Sequence, residues 1–111
     1  MFELRGYIDP NDNRPFAKWF DTLDSVAAAK VTKALTRMEQ GNFSNVESVG
    51  AGIAEYKINF GPGYRIYFGK DGDRLVILLL GGTKKRQNQD ISFAQAYWAD
   101  YKRRRKHAPY S

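Results

Sequence analysis

The sequence predicts an α+β domain with the order β-α-α-β-β-β-α, a mainly antiparallel sheet carrying a helical hairpin on one face. Three observations predict it. Apolar and polar residues alternate on both sides of Gly61-Pro62-Gly63, which is the pattern of a β-hairpin. Leu75–Leu80 is apolar throughout and of strand length, as expected for a strand covered on both faces. Two stretches before the hairpin, and one after it, repeat apolar residues at helical spacing. Helices segregated from sequential strands give this layered class.

The elements follow in order. Phe2–Ile8 alternates enough for a first strand. Asp9-Pro10-Asn11-Asp12-Asn13 is dense turn chemistry, and Asp12 or Asn13 can cap a helix with Pro15 in its first turn. Phe16, Trp19, Phe20 and Leu23 then lie at i, i+3, i+4, i+7 and bury one helical face, with Val26 also assigned to the core. Asp24 or Ser25 starts a second helix that runs past Met38 and stops at Gly41, with Lys30, Lys33 and Arg37 on its exposed side. Residues 42–52 read as a loop. In the hairpin, a three-residue turn would pair Phe60 with Tyr64, Ile58 with Ile66 and Lys57 with Tyr67. One face then holds Tyr56, Ile58, Phe60, Tyr64, Ile66 and Phe68, and the other carries Lys57, Asn59, Arg65 and Tyr67. Asp71-Gly72 turns into the apolar strand, Gly81-Gly82 ends it, and 83–89 is a basic loop. Asp90 can cap a last helix bearing Ile91, Ala94, Tyr97, Trp98 and Tyr101 along one side, before a basic, frayed tail at 102–111.

Composition narrows the function. A chain of 111 residues with 42% hydrophobic content fits a single domain spanning 1–111, one that buries roughly two-thirds of its unfolded surface. No apolar run approaches the ~20 residues of a membrane span, and the start lacks the layout of a signal peptide, so the expected location is the cytoplasm. Charge is segregated. Residues 1–83 hold 10 Lys+Arg and 10 Asp+Glu, whereas 84–106 hold 8 Lys+Arg against 2 Asp, the whole net charge of +6. Such segregation marks a surface for a polyanion or an acidic partner, or else a solvated helix end.

The familiar catalytic sets are missing. With no cysteine and His107 as the only histidine, a Ser–His–Asp triad, a His-based metal site and a His-pair ribonuclease are all disfavoured, and no cofactor is implied. What remains is a polar sheet face with Lys57, Arg65 and Tyr67 beside a loop with Lys84, Lys85 and Arg86. RNA cleavage by the ribose 2′-hydroxyl requires loss of its proton, protonation of the 5′-oxygen leaving group and stabilisation of a phosphorane. Clustered cations can serve all three needs. Arginine's planar fork suits the phosphorane's equatorial oxygens. The bland alternatives stand beside this: Arg65 in a surface salt bridge with Glu55 or Asp90, Lys57 as an exposed strand lysine, Asp90 as a helix cap.

The phrases GPGYRIYF and LLLGGTKKRQNQDI, continued by Ala96, Tyr97, Trp98 and the stretch 100–105, closely resemble the RelE/ParE-type toxins of bacterial toxin–antitoxin pairs. The resemblance is to their HigB-like "addiction module killer" branch and covers most of the chain. It implies the RelE-like fold and a ribosome-dependent mRNA endonuclease, the toxin of a type II module held by a helix-turn-helix antitoxin. Through the resemblance, Arg65, Lys57, Lys84 and Asp90 fall on candidate catalytic positions. Lys85, Arg86, Tyr67, Tyr97, Lys102, Arg103, Arg104 and Arg105 fall on candidate RNA or ribosome contacts. Two other functions fit the same fold: a ParE-like inhibitor of DNA gyrase and a non-catalytic nucleic-acid-binding module.

Overall fold

A computed structural model describes residues 1–106. The elements are β1 (Glu3–Gly6), α1 (Pro15–Phe20), α2 (Ser25–Glu39), β2 (Val46–Gly50), β3 (Ile53–Ile58), β4 (Tyr64–Asp71), β5 (Leu75–Thr83), a 3-10 turn over Lys84–Arg86, and α3 (Gln87–Lys106). The five strands form one sheet in the order β1-β5-β4-β3-β2. All neighbours are antiparallel except β1, which joins β5 in parallel. The α+β class and the mainly antiparallel sheet are as predicted. Among the described residues no helix is long and apolar enough to cross a membrane.

The sheet is covered on both faces. On one, Phe16 of α1 and Val31, Ala34 and Met38 of α2 pack on Tyr56, Ile66, Phe68, Val76 and Leu78. On the other, Ala94 and Trp98 of α3 pack on Tyr7, Ile53, Tyr67, Ile77 and Leu79. Alternation along β5 sends Val76 and Leu78 to one core, Ile77 and Leu79 to the other. This explains why the strand is apolar throughout.

Four expectations are corrected. Residues 46–50 form an edge strand, β2, whose turn into β3 carries positive φ at Gly50, Ala51 and Gly52. Two partly buried valines gave too short a pattern to reveal it. The β3–β4 register is Ile58↔Tyr64, Lys57↔Arg65 and Glu55↔Tyr67. The loop is therefore longer than three residues, and each partner shifts by an even step, which leaves the faces as read. Arg14, not Asp12 or Asn13, occupies the cap position of α1 and makes no side-chain bond. Asp9 instead accepts the N–H groups of Asn11 and Asn13, both at 2.8 Å, and orders that turn. Val26, assigned to the core, is 55% exposed, because α2 buries the Ala27–Val31–Ala34–Met38 stripe. The cap of α2 is Asp24, which accepts from Ala27 N at 2.9 Å, as read.

The glycines explain the sequence phrase around the end of β5. A Cβ at Gly81 would overlap the Trp19 ring, and one at Gly82 would overlap the Asp90 carboxylate. A Cβ at Gly69 would stand 2.7 Å from three ring atoms of Trp98. Each glycine admits a helical side chain directly onto the strand backbone, Trp19 from α1 at Gly81 and Asp90 and Trp98 from α3 at Gly82 and Gly69.

Candidate functional site

The structure brings Arg65 and Lys84 together at the hairpin loop. Arg65 lies near the start of β4, where its cross-strand neighbours are Lys57 and Gly82. The end of β5 is tied to the loop by Lys84 N–H donating to Gly63 O at 2.8 Å. Arg65 and Lys84 then line one open cavity of about 340 Å³, floored by the Asn59–Gly63 loop.

Beneath this cavity the sheet face is not the open polar surface that the alternation predicted. Arg65 is 6% exposed, Glu55 1% and Asp90 5%, because α3 lies across them. Arg65 Nε is 3.7 Å from Glu55 Oε1, and an Arg65 terminal N–H donates to Tyr64 O at 3.3 Å. The pairing with Glu55 is thus real but buried, where removing one partner costs far more than at the surface. Gln87, the first residue of α3, donates its amide to both Glu55 oxygens at 2.9 and 2.8 Å. Glu55 therefore ties the start of α3 to β3 while facing Arg65.

Two candidates serve this buried layer rather than a surface. Tyr67 is fully buried, with no hydrogen-bond partner for its hydroxyl among the described residues. Burial, reinforced by the negative charge of Glu55 and Asp90, pushes its ionisation well above the usual range. It does not present a surface to RNA. Asp90 is not the cap of α3, which begins three residues earlier at Gln87. Its carboxyl packs on Gly82, with Oδ1 3.9 Å from Arg86 Nε and Oδ2 unpartnered among the described residues. Burial raises its pKa, and Arg86 opposes only part of that rise.

The other candidates disperse. Lys57 sits opposite Arg65 in the sheet, but its ammonium pairs with Glu47 of β2 at 2.8 Å. Lys85 and Arg86 are exposed on the 3-10 turn and line a second hollow with Gln87–Gln89, which shares Lys84 with the first. Tyr97 stacks on Tyr7 with centroids 5.1 Å apart and on Phe93 at 6.3 Å. It lies ten residues along α3 from Gln87, roughly 15 Å at 1.5 Å per residue.

The basic run expected as a frayed tail is the last part of α3 as far as Lys106, and it is anchored. Asp100 accepts from Tyr7 Oη at 2.6 Å, Arg103 at 2.9 Å and Arg104 at 2.8 Å. Arg104 also donates to Ile8 O, and Arg105 pairs with Asp71 at 2.7 Å. Lys102 lies over the Trp98 ring, 5.7 Å from its centroid. His107 and the rest of the expected tail lie outside the described residues.

Sequence reasoning missed Glu55 and Gln87 as parts of the site. Alternation did place Glu55 on the face of Lys57 and Arg65; nothing in the run QNQD distinguished Gln87 as the residue that reaches it. In chemical terms, Arg65 and Lys84 offer two cations at one concavity that can hold a phosphate and offset added negative charge.

A family model described as "Phage derived protein Gp49-like" matches residues 18–99, a span containing the end of α1, all of α2, the β3–β4 loop, Arg65, Lys84 and most of α3. The chain is also similar to an uncharacterized protein of Haemophilus influenzae, 41% identical over 81 residues, covering 72% of this chain and 82% of the relative. The chain therefore belongs to the phage-derived Gp49-like family, a RelE-like family associated with toxin–antitoxin systems.

Proposed function

We propose that the chain is the toxin of a type II toxin–antitoxin module, of the HigB-like branch, and that it arrests translation in the cytoplasm by cutting mRNA on the ribosome. The observation that carries this reading is the Arg65–Lys84 cavity at the hairpin loop. In this reading the scissile phosphate lies between the two side chains. The 2′-hydroxyl loses its proton and attacks phosphorus, the bond to the 5′-oxygen breaks, and that oxygen leaves with a proton. Arg65 holds the equatorial oxygens and Lys84 adds a second positive charge. Glu55 and Gln87 are positioning residues for Arg65. Lys57, Lys85 and Arg86 flank the site and bind neighbouring phosphates, and Asp90 supports the strand-to-helix junction from below. A helix-turn-helix antitoxin is the proposed partner, covering the cationic surface.

Induced expression followed by mapping of mRNA 5′ ends tests the reading. New ends in phase with codons, together with rapid loss of protein synthesis, are expected. Intact mRNA with inhibited DNA supercoiling would replace the nuclease by a gyrase inhibitor.

A further inference from the structure

We propose that Phe60 is the base-stacking post of a single-stranded RNA track, which leads from the Arg65–Lys84 cavity into a second cationic groove between α2 and β3. The inference rests on the nucleic-acid reading above and extends it to a site outside the cleavage centre. Lys30, Lys33 and Arg37 recur at i, i+3, i+7 and share one face of α2. The buried Ala27–Val31–Ala34–Met38 stripe lies about a quarter-turn away, and the three cations are exposed along its flank. Packing α2 beside β3 opens a groove of about 260 Å³ that these three cations line, together with Asn59 and Phe60. Asn59 and Phe60 also line the Arg65–Lys84 cavity. The two cationic hollows therefore share Asn59 and the aromatic residue Phe60.

Phe60 is held in place there. Its N–H donates to Ile58 O at 3.0 Å, and its carbonyl accepts from Gly63 N at 3.0 Å. Gly61 and Gly63 take φ of 56° and 79°, the left-handed conformation that lets the loop close. Phe60 is 37% exposed, with the Lys30 ammonium 4.9 Å from its ring centroid. Among the described residues, no carboxylate lies within ion-pair distance of Lys30, Lys33, Arg37 or Lys84. Unpaired cations on either side of an exposed ring on a closed loop match a strand that carries a phosphate and a flat base in every repeat. An acidic protein segment matches the charge but has no use for the ring. On binding, a base would take the place of Lys30 over Phe60, and Lys30 would turn to a phosphate.

The test uses the full chain and a labelled oligouridylate, 2′-O-methylated throughout so that it cannot be cleaved, titrated across a salt series. Phe60→Ala should weaken binding about five- to a hundredfold with the salt slope unchanged. Lys33→Gln with Arg37→Gln should lower the log–log slope by about 0.7 for each phosphate that the groove no longer neutralises. All three positions are exposed, and an unchanged melting temperature shows that the variants fold. Unaltered affinity and slope in both variants overturn the track. Equal losses by both variants against polyglutamate also overturn it, in favour of a surface for an acidic protein. Loss of RNA binding in the variants, with no mRNA cleavage by the parent, keeps the track and removes the nuclease. mRNA cleavage by the parent, with full RNA binding by both variants, does the reverse.

Discussion

Gly82→Ala should damage the junction between β5 and α3, and the structure indicates by how much. An alanine methyl at this position would stand 3.0 Å from Asp90 Cγ and nearer still to Oδ2. Favourable contacts lie at about 3.5–4.0 Å, so the carboxyl must retreat, Cγ by about 0.5–1 Å and Oδ2 by more than about 1 Å. It has little freedom to do so. Asp90 is 5% exposed, and the start of α3 is held by the two bonds from Gln87 to Glu55. Overpacking of this kind costs about 1–3 kcal/mol, or a fall in melting temperature of roughly 3–15 °C for a chain of this length. Urea denaturation of four proteins provides the assay: the parent, Gly82→Ala, Asp90→Ala and the double variant. Removing the carboxyl removes the obstacle, so Gly82→Ala should cost less than about 0.5 kcal/mol in the Asp90→Ala background, and the cycle should show a coupling of about 1–2 kcal/mol. Additive effects, or a Gly82→Ala protein as stable as the parent, would refute the reasoning.

Arg65→Ala should abolish toxicity and, because it leaves Glu55 buried without its cation, lower stability by about 3–5 kcal/mol in urea titration. Arg65→Lys should restore little activity even where stability recovers; a folded, fully toxic Arg65→Ala protein would remove Arg65 from the site. Arg104→Ala combined with Arg105→Ala breaks the pairs with Asp100 and Asp71 and the bond to Ile8 O, and should cost about 0.5–2 kcal/mol in a thermal melt. An unchanged melt would return this run to the role of solubilising charge. The two α3 aspartates should act in opposite directions with pH. Burial raises Asp100, but hydrogen bonds from Tyr7 and Arg104 outweigh it and hold the native pKa below 3.8. Its contribution is present above 3.8 and lost as pH falls through the native value. Asp90 is raised by burial, so stability declines as pH rises from 3.8 through its native pKa. Urea titrations from about pH 3 to about pH 7 should show that decline vanish in Asp90→Asn and the acid loss shrink in Asp100→Asn.

Local patterns along the chain record the strands, the helices and the helical-hairpin layer on one face of the sheet. Alternation in β3 and β4, the unbroken apolar run of β5 and the helical spacing in α1 and α2 each follow from burial of a face, and a local pattern records that directly. It also determined which residues share a face. That is why Glu55, Lys57, Arg65 and Tyr67 were readable as one side of the sheet even though the hairpin register shifted. What covers that side is set by packing between elements distant in the chain. The apolar stripe of α3 showed that the helix buries something, but spacing within a helix carries no information about which sheet face receives it. Packing of α3 there converted an open cationic face into a buried layer with Glu55 and Asp90, and left Arg65 meeting Lys84 only at its edge. The same packing explains Gly69 and Gly82, whose missing side chains make room for Trp98 and Asp90. The groove between α2 and β3 was likewise invisible along the chain. Its cations come from residues 30–37 and its ring from residue 60, and only chain folding brings the two together.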